Sequence, residues 1–242
     1  MWKTLGGRCI YQAPNGAKVH QNYIYRWLTL NSDALQTLIN RRSPQNPELG
    51  YIHQMAFAVR ERPADCCLLG LGGAGVAHAL MPYLKNSTLL VVENNPEVIS
   101  IATDYFMSDR LKNLSIIKQD ANLFVQQCNT RYQHLMVDLY ESHAFPAHCS
   151  TPDFFLGCRN LLLHDGILAL NLTNLQEQWS LFRQVREIFC QRTVSLPVKG
   201  SANMIVLACN SSSVAPLLDL LTKSQRLKEL KWDARWGCIA RI

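Results

Sequence analysis

Residues 66–75 read Cys66-Cys67-Leu68-Leu69-Gly70-Leu71-Gly72-Gly73-Ala74-Gly75, and Leu89-Leu90-Val91-Val92-Glu93 follows. The pattern predicts a buried strand, a glycine-rich turn, a helix and a second buried strand ending in a carboxylate. Such an arrangement builds a nucleoside pocket. Gly70, Gly72, Gly73 and Gly75 let the backbone approach a ligand, and the helix start offers unpaired N–H groups. Glu93 lies about 20 residues past the glycines, where an acidic side chain can accept both ribose hydroxyls. A glycine turn alone is weak evidence, because many strand-to-helix turns use Gly for steric reasons; the acid after the next strand raises the reading above that. Two more acids follow at later strand ends. Asp120, in Gln119-Asp120-Ala121-Asn122, can accept from an adenine amino group, cap the next helix, or do both. Met136-Val137-Asp138-Leu139-Tyr140-Glu141-Ser142 sets two carboxylates three residues apart with Tyr140 between them. A carboxylate at such a strand end can take a proton from an amine nucleophile or bind a cationic amine; a structural Asp tying down the loop is the plainer alternative.

The elements that must position these groups alternate from residue 66 onward. Strands are predicted near 66–70, 88–92, 114–118, 133–137, 166–171, 192–196 and 203–208. Helices are predicted near 75–84, 96–106, 121–128, 152–163, 176–190 and 214–230. The strands are apolar on both faces, as a covered parallel sheet requires. The fold class is α/β: a doubly wound, Rossmann-like sheet with its ligand at the C-terminal strand ends. Residues 1–60 form a small β-rich unit and residues 61–242 the nucleoside-binding catalytic domain. In the first unit, Arg8–Gln12 and Ala17–Gln21 flank a tight-turn signal, Asn15-Gly16. Tyr23–Leu30 reads as a third strand. Asp33–Arg41 reads as a short helix capped by Asn31 or Ser32, and Leu49–Val59 as another helix.

Composition narrows the class. In 242 residues, 48% hydrophobic and 17% charged content describe a packed globular chain. No apolar run approaches the ~20 residues needed to cross a bilayer, and the N-terminus carries no signal core. Nine cysteines without a C-x-x-C or a zinc-like cluster point to reduced thiols in the cytoplasm and to no metal. Cys66, Cys67, Cys190 and Cys209 sit in apolar segments. The net charge of +6 is modest; the basic stretch Lys223–Arg235 reads as a solvated helix face, and no nucleic-acid module appears. Trp179, Trp232 and Trp236 are expected packing anchors. His53 and His143 flank the expected cleft, more as polar loop residues than as bases. Asn171-Leu172-Thr173 fits a glycosylation pattern that has no meaning in a cytosolic chain.

Together these motifs resemble the spermidine synthase family of polyamine aminopropyltransferases, within the class I S-adenosylmethionine-dependent methyltransferase fold, over about residues 20–210. Gly70–Gly75 stands where the family has GGGDGG, and Val92–Val98 is similar to its VEIDPEV segment. Asp120-Ala121 matches the acidic-small pair that contacts adenine. Asp138–Ser142 stands where the family has DSSDP, whose first Asp is the general base. Phe154-Phe155 and Leu163–Leu170 follow as the family's next helix and strand do. Gln36 and Tyr51-Ile52-His53-Gln54-Met55 resemble its glutamine and Tyr-His-Glu segments, the second of which is not intact. Gly73 replaces the acid of GGGDGG, Glu141 lengthens the second acid of DSSDP, and the Pro is lost.

The resemblance implies an alkyl transfer from a sulfonium. Decarboxylated S-adenosylmethionine would be bound by Gly70, Gly72, Gly73, Gly75, Glu93, Asn94, Asp120 and Ala121. Asp138 would act as base aided by Tyr140, Glu141 would hold a distal ammonium, and Gln36, Tyr51 and His53 would meet a small amine such as putrescine. It also implies a homodimer, with no nucleic-acid or membrane partner. Two alternatives stay open: a methyltransferase using ordinary S-adenosylmethionine, and a non-catalytic relative that binds a nucleoside or a partner. A dehydrogenase fits the segment after Glu93 less well.

Overall fold

The computed structural model describes residues 2–14, 16–30, 34–141, 144–173 and 175–240. Asn15, Asn31, Ser32 and His143, singled out above, lie outside them. The N-terminal unit is an antiparallel sheet in the order β1 (Arg8–Gln12), β2 (Ala17–Gln21), β3 (Tyr25–Leu30), β4 (Leu35–Asn40). The last strand corrects the helix expected over 33–41. Leu35-Gln36-Thr37-Leu38-Ile39 carries β-branched and bulky residues, and β3 offers a complete antiparallel edge, with Trp27 opposite Leu38 and Arg26 opposite Ile39. Val19, Leu28 and Ile39 bury one face against Ile101 and Phe106 of the larger domain, while Tyr25, Trp27 and Leu38 form a second small cluster.

Helices α1 (Gly50–Met55) and α2 (Phe57–Glu61) split the single helix expected over 49–59. Ile52, Met55, Phe57 and Val59 lie in the core of the main sheet. That sheet has nine strands. Its parallel half comprises β5 (Cys66–Leu69), β6 (Leu89–Glu93), β7 (Leu114–Lys118), β8 (Tyr132–Val137) and β9 (Leu162–Leu172), in the order β9-β8-β5-β6-β7. Beyond β9 runs β11 (Met204–Asn210), antiparallel to β9 and to the next strand, β10 (Thr193–Pro197); β13 (Gly237–Ala240) then pairs parallel with β10, and the edge strand β12 (Leu230–Asp233) antiparallel with β13. The sheet is therefore mixed rather than wholly parallel.

Period-2 alternation explains the double burial. Cys66, Leu68, Val91, Met136 and Ala169 face one core, shared with α1, α2, α3 (Gly75–Leu80), α4 (Pro96–Phe106) and α8 (Ala215–Lys223). Cys67, Leu69, Val92, Val137 and Leu170 face the other, shared with α5 (Ala121–Gln127), α6 (Pro152–Asn160) and α7 (Gln178–Ile188). The helix expected over 214–230 ends at Lys223, and the basic stretch after it becomes a turn and an edge strand instead of a helix face. Trp179 and Trp236 pack on Phe182, but Trp232 is 70% exposed and anchors nothing. Cys190 is exposed, in the turn after α7, whereas Cys66, Cys67 and Cys209 are buried. No helix among the described residues is long and apolar enough to cross a membrane.

His134 sits in β8 at the edge of this core, almost fully buried. Its Nε2 donates to the Arg62 carbonyl at 2.7 Å, and Nδ1 meets no partner among the described residues. Burial pushes its pKa from 6.5 down to about 4. The unfolded chain therefore binds the proton first, so stability is full above pH 6.5 and is lost as the pH falls toward 4. The shift corresponds to about 3 kcal/mol. We expect the urea midpoint to drop between pH 7 and pH 4.5, and His134→Gln to flatten that dependence; an equal slope in both chains would refute the assignment.

Candidate active site

The C-terminal ends of β5, β6, β7 and β8 open into one cleft of about 1640 Å³, closed on its far side by the N-terminal sheet. The glycine turn forms its floor. Gly70 (φ +96°) crosses directly over β8, and a Cβ there would stand 2.3 Å from the Asp138 carbonyl oxygen. Gly72 (φ +52°) allows the reversal into α3. Gly70, Gly72 and Gly75 line the cleft; Gly73 lies under Thr37 of β4. The Gly73 N–H donates to Thr37 Oγ1 at 2.8 Å, Leu71 N–H to Glu93 Oε2 at 3.0 Å, and Ala74 N–H to the Leu71 carbonyl. Three turn N–H groups expected to be unpaired thus already have acceptors. That arrangement suits a nucleoside better than a phosphate.

Thr37 also explains the residue at 73. A Cβ there would lie 2.9 Å from Thr37 Cβ and Cγ2. An acid at this position has no room while the N-terminal sheet is docked. We expect Gly73→Asp to cost about 1–3 kcal/mol through overpacking, read as a lower melting temperature. An unchanged melting temperature would show that the contact between the two sheets opens freely.

Glu93 ends β6 and turns into the cleft, its oxygens accepting from Leu71 N–H and, at 2.9 Å, from Asn95 N–H. Burial raises its pKa and these backbone donors oppose the rise. The backbone N–H groups of Asn94 and Gly72 face the same carboxylate. Asn94 and Ala121 line the same region. Asp120 caps α5 through Leu123 N–H at 3.0 Å and accepts from His148 Nε2 at 2.8 Å. Burial pushes its pKa up, but these hydrogen bonds outweigh that and hold it low. Capping and cleft exposure therefore coexist in Asp120.

Asp138 follows β8. Tyr51 of α1 donates to its Oδ2 at 3.1 Å, and Asn171 of β9 donates Nδ2–H to its Oδ1 at 2.8 Å. Burial raises the Asp138 pKa against the pull of both donors. The Tyr51 phenol is raised well above 10, by burial first and then by the Asp138 charge. Both shifts describe a poorly hydrated carboxyl facing a cavity, a stronger base than a surface Asp once it is ionised. Tyr140, Glu141 and Gln36 line the cleft too. His53 does not: it is exposed on α1, on the side away from the cleft wall that Tyr51 joins. Helical spacing decides this, since residues two apart on a helix point in different directions. No cluster among the described residues could hold a metal ion. Reading the sequence missed Thr37, His148, Asn171 and Asn203; a polar Asn ending an otherwise apolar strand was the available signal for Asn171.

No family model matches the chain. It is 27% identical over 203 residues to a polyamine aminopropyltransferase of Neisseria meningitidis, an alignment covering 82% of this chain and 77% of that one. The chain resembles the polyamine aminopropyltransferases along most of its length. Among solved structures, a probable spermidine synthase from Corynebacterium glutamicum superposes with a TM-score of 0.72 at 15% identity, covering 89% of this chain and 86% of that one. A spermidine synthase in complex with the transition-state analogue AdoDATO gives 0.71 at 15% identity, over 88% and 76%. Human methyltransferase-like protein 13, in complex with SAH, gives 0.62 at 16% identity, over 77% and 96%. The fold is thus that of the spermidine synthases and of this methyltransferase, a large mixed sheet beside a small antiparallel N-terminal one.

Proposed function

We propose that this chain is an aminopropyltransferase, moving an aminopropyl group from decarboxylated S-adenosylmethionine to a small amine such as putrescine. The observation that carries the reading is Asp138: a buried carboxylate with both oxygens held by donors, opening on a cleft whose neighbouring strand ends supply Glu93 and Asp120. The similarity to polyamine aminopropyltransferases supports it.

The residues present fit such a donor. Gly70 and Gly72 bring bare backbone to the cleft wall, Glu93 turns its carboxylate into the same cleft, and Asp120 stands where an exocyclic amine can donate. When bound, the sulfonium supplies an electrophilic carbon and a neutral thioether leaving group. The chain does the rest. Asp138 accepts a proton from the acceptor's ammonium, which frees the nitrogen lone pair. Tyr51 and Asn171 fix the direction in which the carboxylate faces. Tyr140 and Glu141 border the acceptor's path, and Glu141 holds a distal ammonium. Burial strengthens each charge interaction and orients the reactants. Nine free thiols are in keeping with a reducing cytoplasm, and we include a homodimer in the proposal.

Purified protein given the decarboxylated donor and putrescine should release methylthioadenosine. Silence across several diamines would sink the reading. A second reading, methyl transfer from ordinary S-adenosylmethionine, is favoured by Gly73, which leaves no carboxylate in the turn to repel the donor's own. Calorimetry with the two donors separates these readings by which one binds more tightly.

A further inference from the structure

The Asp138 carboxylate is the end of a longer polar chain. Asn171 is 3% exposed, and its Nδ2 faces Asp138 because its Oδ1 is already engaged, accepting from Asn203 Nδ2 at 2.9 Å. Asn203 is itself oriented by Ser201, whose hydroxyl bonds Asn203 Oδ1 and accepts from the Asn203 N–H at 3.1 Å. The segment that carries Ser201 and Asn203 is the tip of the β10–β11 hairpin, closed by Val198 N–H to the Asn203 carbonyl at 3.0 Å. It is held down from the opposite face of the sheet. Buried Gln178 of α7 donates Nε2–H to both the Leu172 carbonyl, at 2.9 Å, and the Ala202 carbonyl, at 2.5 Å. Those two carbonyls belong to the neighbours of Asn171 and Asn203. Both amides of the chain are therefore fixed in place by a residue that never reaches the cleft.

An amide is polar in one sense only: its oxygen accepts and its NH2 donates. With Asn203 donating to Asn171 Oδ1, Asn171 has just its NH2 left for Asp138. With Asn171 reversed, an oxygen would face the carboxylate, and only a protonated Asp138 could bond to it. We propose that Asn203 and Asn171 form a directional relay that keeps Asp138 ionised, so that the hairpin tip sets the protonation of the base. Both are positioning residues, acting through Asp138 and not on the reacting atoms. The inference rests on the reading of Asp138 as the base. Other titratable groups bordering the same cleft are Lys18 and His20 from β2, Glu48 before α1 and Tyr51 on it, Glu93 from β6, Asp120 at the start of α5, Tyr140 and Glu141 from the loop after β8, His148 and Cys149 before α6, and Lys199 from the hairpin. None of them is altered by the substitutions below.

The discriminating substitution is Asn203→Asp. It keeps the shape but cannot donate, so Asn171 must turn its NH2 toward the new carboxylate and its oxygen toward Asp138. The acid limb of the kcat/KM profile should move up by about one pH unit. Asn203→Ala, which merely releases Asn171, should move it less, and Asn203→Gln should restore it in part. Circular dichroism checks that each variant is folded. Because a new carboxylate also repels Asp138, the neutral variant decides with it: a limb that stays in place in a folded Asn203→Asp chain, or that moves there but not at all in Asn203→Ala, overturns the relay.

A second measurement needs no turnover. The unfolding free energy of the Asp138 chain is compared with that of Asp138→Asn as a function of pH. Because burial raises the folded pKa, the carboxyl's contribution falls as pH rises above its unfolded value and levels off past the folded one. That levelling point should move up by about one unit in the Asn203→Asp background. Equal levelling points in both backgrounds refute the relay. If no amine supports methylthioadenosine release, the functional reading fails while this comparison still decides the relay.

Discussion

Asp138→Asn should leave a folded protein that transfers its group roughly 10²- to 10⁴-fold more slowly, the range a positioned general base supplies. The expectation follows from three contacts. The carboxylate accepts from Tyr51 and from Asn171, and it opens on the cleft. An amide in its place still accepts through its oxygen but takes no proton. The effect should fall on kcat/KM, with donor binding intact, since the proposed donor contacts, Glu93 and Asp120, lie on other strand ends. In the unsubstituted chain the same group sets the acid limb. Its folded pKa lies above 3.8, so activity is full above that raised value and is lost as the pH falls through it. Stability runs the other way: an ionised carboxylate there costs the fold something that the amide does not, so the melting temperature of the variant at neutral pH should be equal or higher. Turnover within about threefold of the parent, well short of the general-base range, would remove Asp138 from the chemistry.

Gly70→Ala should destabilise the fold strongly although it adds a single methyl. Its Cβ would meet the Asp138 carbonyl oxygen at 2.3 Å and the carbonyl carbon at 3.0 Å, and φ there is +96°. Backbone cannot rotate away as a side chain does. Strain in φ and the steric overlap together amount to roughly 3–5 kcal/mol. In a chain of this size that lowers the melting temperature by roughly 10 °C. Whatever relaxation occurs must displace Asp138, so activity should fall further than stability alone dictates. A melting temperature within about 2 °C of the parent, less than about 1 kcal/mol on that scale, would show that β5 and β8 separate here with ease.

Much of the site was legible because it is local. A strand, a glycine turn and an acid at the next strand end lie within one stretch of sequence, and Glu93, Asp120 and Asp138 each close a strand with its own apolar signature. Each was expected at the cleft, and each lines it. What escaped is what depends on partners far away in the chain. The strand β4 looked helical because nothing in Leu35–Asn40 announces that β3 waits beside it. Likewise β12 fell in a basic stretch read as a helix face, since Leu230–Asp233 is too short and too charged to alternate clearly, and the equally short β13 gave no strand signal. Asn203 carries no motif, and the glycosylation pattern at Asn171 says nothing of its place beside Asp138. Their meaning comes from a hairpin that folds back across the end of β9, and no spacing rule gives that contact. His53 was carried along with Tyr51 by its neighbourhood in sequence, and helix geometry parts them.

The partners of Asp138 come from Tyr51, Asn171 and, through the latter, Asn203. A chain emerging from the ribosome can lay down the glycine turn and the first parallel strands well before Asn203 exists. Until the last hairpin is synthesised and docks, the acid lacks the environment that tunes it. Competence is therefore acquired late in translation, and a prematurely terminated product ending before residue 203 would bury its carboxylate without the relay that keeps it charged.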